Sequence, residues 1–508
     1  MIYLDGNSLT LAEVIRVARA GETVELSSSG ENQILKSRRI VDKILLEERP
    51  VYGVSTGFGD FSTVFIEKDK RAQLQRNLIL SHATGVGEHL SKDVVRAAML
   101  LRANSLAKGY SGIRLETVKM LLAMLNKEIT PAIPCKGSVG ASGDLAPLSH
   151  MVLVMLGEGE AYLDGKLMSG QNALEKTGLI PVVLSGKEGL ALINGTQIMT
   201  AVGCIAWQDA VNLMKAADIA AALSIEGLKG TRTAFDSRIS EVRQHPGQMA
   251  TSKNMLMLTA DSSIIASHIH CEKVQDAYSL RCVPQVHGAS KDALRQATRT
   301  LTIEINSVTD NPLIMPDTGE AISGGNFHGQ PIALVMDYLK LAIAELGSIS
   351  ERRTNRLLDM HLSDLPAFLT AFPGVDSGLM ITQYVAASLV SENKVLVHPA
   401  SADSIPTSAN QEDHVSMGTI AARQSREILD NVVYVLAIEI MAAAQGIDFL
   451  DPLKPGRGTT AAHKAIRQII PHLGKDRFLS PEIKELHDLI SSGALVQQVE
   501  AAIGELTI

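Results

Sequence analysis

Between Ile332 and Ile349, apolar residues fall at 332, 335, 336, 339, 343, 346 and 349, steps mostly of three and four that line one face of a helix. Leu341 and Ala344 add apolar groups to the opposite face, so this helix is expected to be buried all round, and the same pattern holds from Val432 to Ala444. A long helix without a polar face needs other long helices around it, from the same chain or from other subunits, and that is a bundle. Composition points the same way. Apolar residues make up 45% of the chain but aromatics only 4%, and the Ala and Leu that dominate favour helix over strand.

The 508 residues are enough for two or three structural regions around a large core. Residues 1–193 read as a mixed head, in which short helical patterns alternate with Gly-rich loops such as 52–59. A strand pair is expected around Glu160 to Leu167, turned at Asp164-Gly165. Residues 194–508 read as long helices followed by a C-terminal helical region. Pro452, Pro455 and Gly456 mark a loop there, and Ser480-Pro481-Glu482 predicts a helix start with Ser480 as its N-cap. The formal charge of −8 argues against a nucleic-acid-binding surface. Cys135, Cys204, Cys271 and Cys282 form no CxxC pair and no disulfide framework, which suits a reducing compartment. The N-terminal residues lack a basic and apolar leader, and no uncharged apolar run reaches the length of a membrane span, so a cytoplasmic location is expected.

The chemistry concentrates in the thirteen residues from Gly137 to Ser149, which contain Ala141-Ser142-Gly143. Those three residue types suit a backbone cyclisation. Gly143 has no Cβ to block attack of its nitrogen on the carbonyl carbon of Ala141, and it reaches backbone angles closed to other residues. Ala141 leaves that carbonyl open. Ser142 carries a β-hydroxyl whose loss as water leaves an exocyclic methylene, and loss of a second water completes the ring. Gly137 and Gly140 permit a tight loop, and Pro131, Pro134 and Pro147 stiffen its flanks. This segment resembles the signature of the histidine/phenylalanine ammonia-lyase family, and the likeness covers nearly the whole chain. It implies a mainly α fold, a long-helix bundle of the fumarase/aspartase-like superfamily with a mixed N-terminal head. It also implies a 4-methylideneimidazole-5-one group made from residues 141–143, with no external cofactor and no metal.

Six further segments carry the resemblance. Tyr52 lies in the Gly-rich loop and is implied as a base; its ordinary pKa of about 10 would need a positive local field to serve at neutral pH. His82, in Leu80-Ser81-His82-Ala83-Thr84-Gly85, is implied to lie against the substrate side chain; Thr84 stands where the family often has Cys. Asn194, in an Asn-Gly pair, has an amide that can donate to a carboxylate and a carbonyl that can accept from an amine. Tyr278 and Arg281 are three apart and would share a helix face with Gln275; the arginine can bind a carboxylate through two parallel hydrogen bonds. Phe327 sits among glycines and is implied to wall the site. Glu412, in Asn410-Gln411-Glu412-Asp413-His414, stands where the histidine-specific branch has a glutamate. A carboxylate there can accept from an imidazole N–H, whereas a phenyl ring would leave it unsatisfied.

The resemblance therefore implies a carbon–nitrogen lyase that eliminates ammonia from L-histidine to give trans-urocanate, the first step of histidine degradation. Tyr52 is the first candidate for the base and Tyr278 the second; Arg281 with Asn194 would hold the carboxylate, and His82 with Glu412 the imidazole. Helix N-termini aimed at the pocket would stabilise negative charge, and a homotetramer would share its active sites between subunits. The alternatives are a phenylalanine or tyrosine ammonia-lyase or aminomutase with the same electrophile, a fumarase-type lyase for which Ser142 is dispensable, and a helical assembly protein without activity. His268-Ile269-His270-Cys271 resembles a metal cluster, but no second cluster completes a tetrahedral set.

Overall fold

The computed structural model describes residues 1–51, 53–54, 56, 66–269 and 274–508. Strands are short and confined to pairs and one three-stranded sheet. β1 (Ile2–Leu4) pairs in parallel with β2 (Val24–Leu26), and β3 (Val86–His89) runs antiparallel to β5 (Pro134–Lys136). β4 (Thr130–Pro131) is followed in its sheet by β6 (Glu160–Leu163) and β7 (Lys166–Ser169), and β8 (Leu313–Ile314) pairs with β9 (Ala321–Ile322). The β6–β7 hairpin is the expected one. Asp164 and Gly165 both have positive φ (51° and 73°), the turn that matches the twist of two antiparallel strands.

Helices make up most of the rest, in line with the expected mainly α class. Those that matter below are α1 (Arg71–His82), α2 (Lys92–Ala107), α3 (Leu145–Met155), α4 (Glu188–Ile193), α5 (Gln197–Gly227), α6 (Tyr278–Arg281), α7 (Val283–Glu304), α8 (Gln330–Leu358), α9 (Met380–Leu396), α10 (Gly418–Asp448), α11 (Arg457–Ile469) and α12 (Ser480–Ser491). Ser480 is the first residue of α12 rather than its cap; Leu479 takes the cap position and no side chain caps the helix. Two compact units form. The first holds residues 1–205, 298–337 and 399–423, and the second holds 206–297, 338–398 and 424–508.

In the second unit the long helices meet around buried charge. Arg353 of α8 donates to both carboxylate oxygens of Glu439 of α10 (2.5 and 2.9 Å), and Ser224 of α5 and Ser350 of α8 each donate to the same carboxylate at 2.6 Å. Asp218 of α5 accepts from His287 Nδ1 (2.8 Å) and Lys291 Nζ (2.7 Å) of α7. Burial would raise the Asp218 pKa, but the Lys291 charge and the His287 bond hold it below the usual carboxylate range.

The Val432–Ala444 stretch is buried as expected, Tyr434 alone being half-buried. The expectation for 332–349 is corrected. Its core face is buried, but Leu334, Tyr338 and Leu341 are exposed, at 56%, 49% and 54%. Among the described residues nothing covers this second apolar stripe. Among the described residues no helix is long and apolar enough to cross a membrane.

Candidate active site

The loop 137–144 is fixed from three sides within the first unit. Asp144, fully buried, accepts at Oδ1 from Ser138 Oγ (2.8 Å) and Thr419 Oγ1 (2.5 Å), and at Oδ2 from the Met199 N–H in the first turn of α5 (2.9 Å). Burial pushes the Asp144 carboxyl up against the pull of these bonds. Ser416 Oγ donates to Gly140 O (3.1 Å), and Met417 N donates to Val139 O (2.9 Å). Asp144 N donates to Gly195 O (2.7 Å), beside the backbone bridge between Gly143 and Gly195. Gly143 has φ +70°, and a Cβ there would run into the Gly195 backbone.

Three helices start at this loop, and a fourth starts beside two of its neighbours. α3 begins at Leu145, directly after Asp144. α5 begins at Gln197 and is capped by Asp144. α10 begins at Gly418, whose N–H donates to Ser416 Oγ (3.2 Å). Gly329, just before α8, packs so closely on Met199 and Ser416 that a Cβ would overlap both. The first turns of α3, α5 and α10 thus lie against residues 137–144.

Glu412 closes the site. Its Oε1 accepts from Ser142 Oγ at 3.1 Å and its Oε2 from Thr407 Oγ1 at 2.6 Å. Its charge reaches His82, the last residue of α1. Burial draws the His82 pKa down and so favours the neutral imidazole, against a hydrogen bond at Leu78 and the Glu412 charge, both of which pull it up. Phe327 is half-buried in the turn before α8. Its neighbour His328 stacks on His414 at 5.8 Å and lies 3.3 Å from His414 O, which joins the Phe327 segment to the Glu412 segment.

Asn194, buried at the end of α4, has its amide oriented by its neighbours. Nδ2 donates to Asp310 Oδ1 and Asn311 O, both at 3.2 Å, and Lys187 Nζ holds Asp310 Oδ2 at 2.7 Å. The Asn194 Oδ1 is buried and has no partner among the described residues. Of the two roles expected for this amide, donation to a carboxylate is thus taken up internally and acceptance from an amine is left open. Arg102 of α2, fully buried, donates to Asn194 O and Gln197 Oε1, each at 2.8 Å; burial pushes its pKa down to about 10 against the charge of Asp310.

Residues 141–143, His82, Asn194, Phe327 and Glu412 all belong to the first unit. Gln275, Tyr278 and Arg281 belong to the second. Tyr278 and Arg281 share a face of α6, the guanidinium lying 4.6 Å from the ring centroid, and Gln275 precedes that helix. Tyr52 lies outside the described residues, as do His270 and Cys271. Among the described residues no group of three or more His, Cys, Asp or Glu is arranged to hold a metal ion. Sequence reasoning singled out neither Thr407, Thr419, Ser138 nor the Lys187–Asp310 pair. Asp144 takes the N-cap position of α3, where an Asp before an apolar helix is a cap signal, but its side chain bonds no N–H of that helix and turns to Met199 instead.

The residues fit a self-made ring: a small residue at 141, a hydroxyl at 142, and at 143 a glycine in a cradle that a Cβ would fill. Comparison with known proteins adds to this geometry. The model of the aromatic amino acid lyase family matches residues 9–468. The chain is 57% identical over 502 residues to the histidine ammonia-lyase of Alkaliphilus oremlandii, covering 99% of each. Among solved structures it is similar to histidine ammonia-lyase from Trypanosoma cruzi, with 42% identity, a TM-score of 0.92, and 99% of this chain and 96% of that one covered. It is also similar to tyrosine aminomutase from Streptomyces globisporus, with 38% identity, a TM-score of 0.95 and both chains covered in full.

Proposed function

The chain belongs to the aromatic amino acid lyase family and eliminates ammonia from histidine; from that premise we propose which residues carry the reaction. The single observation that carries the assignment is the hydrogen bond from Ser142 Oγ to Glu412 Oε1. It sets a carboxylate against the residue from which the electrophile is made. Fold similarity does not choose the substrate, since an aminomutase matches as closely as a histidine ammonia-lyase. Glu412 supports histidine over phenylalanine, because an imidazole N–H satisfies a carboxylate and a bare phenyl ring cannot; tyrosine, whose phenol can also donate, is separated from histidine by the substrate panel below.

Ala141, Ser142 and Gly143 form 4-methylideneimidazole-5-one, which supplies an electron-poor methylene able to accept the substrate's amine or its imidazole ring. Glu412 accepts from the imidazole N–H, and neutral His82 packs beside it. Arg281, together with Gln275, holds the carboxylate. The partnerless Oδ1 of Asn194 accepts from the amine. Phe327 walls the pocket. Tyr52 takes the β-proton, with Tyr278 as second candidate. Fixing the carboxylate, amine and ring together aligns the C–H and C–N bonds that break. The product is trans-urocanate.

The assembly we propose is a homotetramer with shared sites. Its support is the apolar stripe of α8 and the exposed Ile381 and Tyr384 of α9, which a second subunit would cover. A reducing, cytoplasmic location suits the free Cys135, Cys204 and Cys282. The experiment is a substrate panel of L-histidine, L-tyrosine and L-phenylalanine followed by ultraviolet absorbance, with Ser142→Ala as control. Urocanate from histidine only, absent in the variant, is expected. Product from the aromatic amino acids instead would keep the electrophile and remove Glu412 from substrate choice.

A further inference from the structure

The two oxygens of Glu412 have hydroxyl donors with different fates. Oε1 accepts from Ser142 and Oε2 from Thr407. When the ring forms, Ser142 Oγ leaves with the Ser142 Cα hydrogen as one water, and a Cα=Cβ double bond remains. Oε1 then has lost its donor, while Oε2 keeps Thr407. The Thr407 contact is built into the loop. Thr407 N donates to Glu412 O (3.0 Å) and Glu412 N to Thr407 O (3.3 Å), closing a turn in which Ser408, Ala409 and Asn410 all have left-handed φ of 51°, 53° and 67°. Three successive non-glycine residues in that region are costly, and they persist because the closing bonds hold them.

We propose that Thr407 is the positioning residue for Glu412. It holds Oε2 so that self-processing of Ser142 unmasks Oε1, already aimed at the site, as the acceptor for the imidazole N–H. Maturation and recognition of the imidazole are thereby joined at one carboxylate. The inference rests on the reading of Glu412 as the histidine contact.

The test is calorimetric binding of urocanate to the Ser142→Ala chain, in which Oε1 has no Ser142 donor and no turnover intervenes. Thr407→Val in that background should weaken binding about tenfold, the loss expected for one hydrogen bond to a charged group. Thr407→Ser, which keeps the hydroxyl, should restore it to within about twofold. In a Glu412→Gln background Thr407→Val should add little, because it acts through the carboxylate. Thr407→Val in the otherwise unaltered chain should still lose two waters by intact mass. Binding unchanged by Thr407→Val, or a loss that Thr407→Ser does not rescue, would overturn the proposal, as would a Thr407→Val chain that keeps both waters. If Glu412→Gln alone leaves urocanate binding unchanged, the histidine-contact reading fails as well; if it weakens binding while Thr407→Val does not, only the role of Thr407 fails.

Discussion

Asn194 has one free acceptor because its amide nitrogen is already committed to Asp310 and Asn311. Asn194→Asp would bring a second carboxylate against Asp310 where a donor now stands, and two adjacent carboxylates cannot both ionise cheaply. The expected result is a fall in kcat/KM for histidine of about tenfold or more, together with a lower melting temperature from the second buried carboxylate. Unchanged kinetics would show that the orientation of this amide is not used. Gly143 is constrained more tightly still. Gly143→Ala meets a left-handed backbone that costs about 1–2 kcal/mol for other residues, and its Cβ overlaps Gly195. Intact mass of that variant should retain both waters. Ser142 and Glu412 could be singled out in the sequence through the segments that resemble the ammonia-lyase family, within which their side chains have a chemical use. Their contact could not, since 270 residues separate them and only the fold joins them. Thr407 gave no sign at all, because a threonine in a polar loop looks the same whether it holds a carboxylate or faces water.

Among the helices, periodicity told how much of α10 is buried but not what Glu439 does there. The glutamate reads as an interruption of an apolar run; in the structure it is fully buried and binds Arg353, Ser224 and Ser350. Removing one member leaves the other charge buried and unpaired, so Arg353→Met and Glu439→Gln should each cost about 3 kcal/mol or more in denaturant unfolding. The double replacement Arg353→Met with Glu439→Met should cost less than the sum. A full sum would mean that the two charges do not act as a pair. The hairpin at Asp164-Gly165 was legible because its turn residues are local determinants. The opposite face of α8 misled, because an apolar stripe records that something covers it and not whether the cover lies in the same chain.

For the molecule as a whole, acid stability is a balance between carboxylates shifted in opposite directions, and the second unit holds both kinds, Asp448 and Glu226 among them. Burial raises the Asp448 carboxyl, but hydrogen bonds from His463 and His472 and the charge of Arg467 outweigh it and hold the pKa far below its ordinary value. The native state then binds fewer protons than the unfolded chain, so this contribution is complete above the unfolded pKa of about 3.9 and is lost as pH falls below it. Glu226 is the reverse. Burial raises its pKa despite the Gly456 N–H at 2.8 Å, so the native state holds its proton longer and the group becomes a burden as pH rises through its unfolded value of about 4.3. Asp448→Asn should therefore cost about 2 kcal/mol near neutral pH, with the difference from the parent closing as pH falls from about 4 towards 2.5. Glu226→Gln should move the other way, gaining on the parent as pH rises from about 4 to 7. Urea unfolding of the three proteins across that range measures both slopes at once. Parallel curves would mean that neither carboxylate is shifted, and the acid response would then have to come from the exposed charges instead.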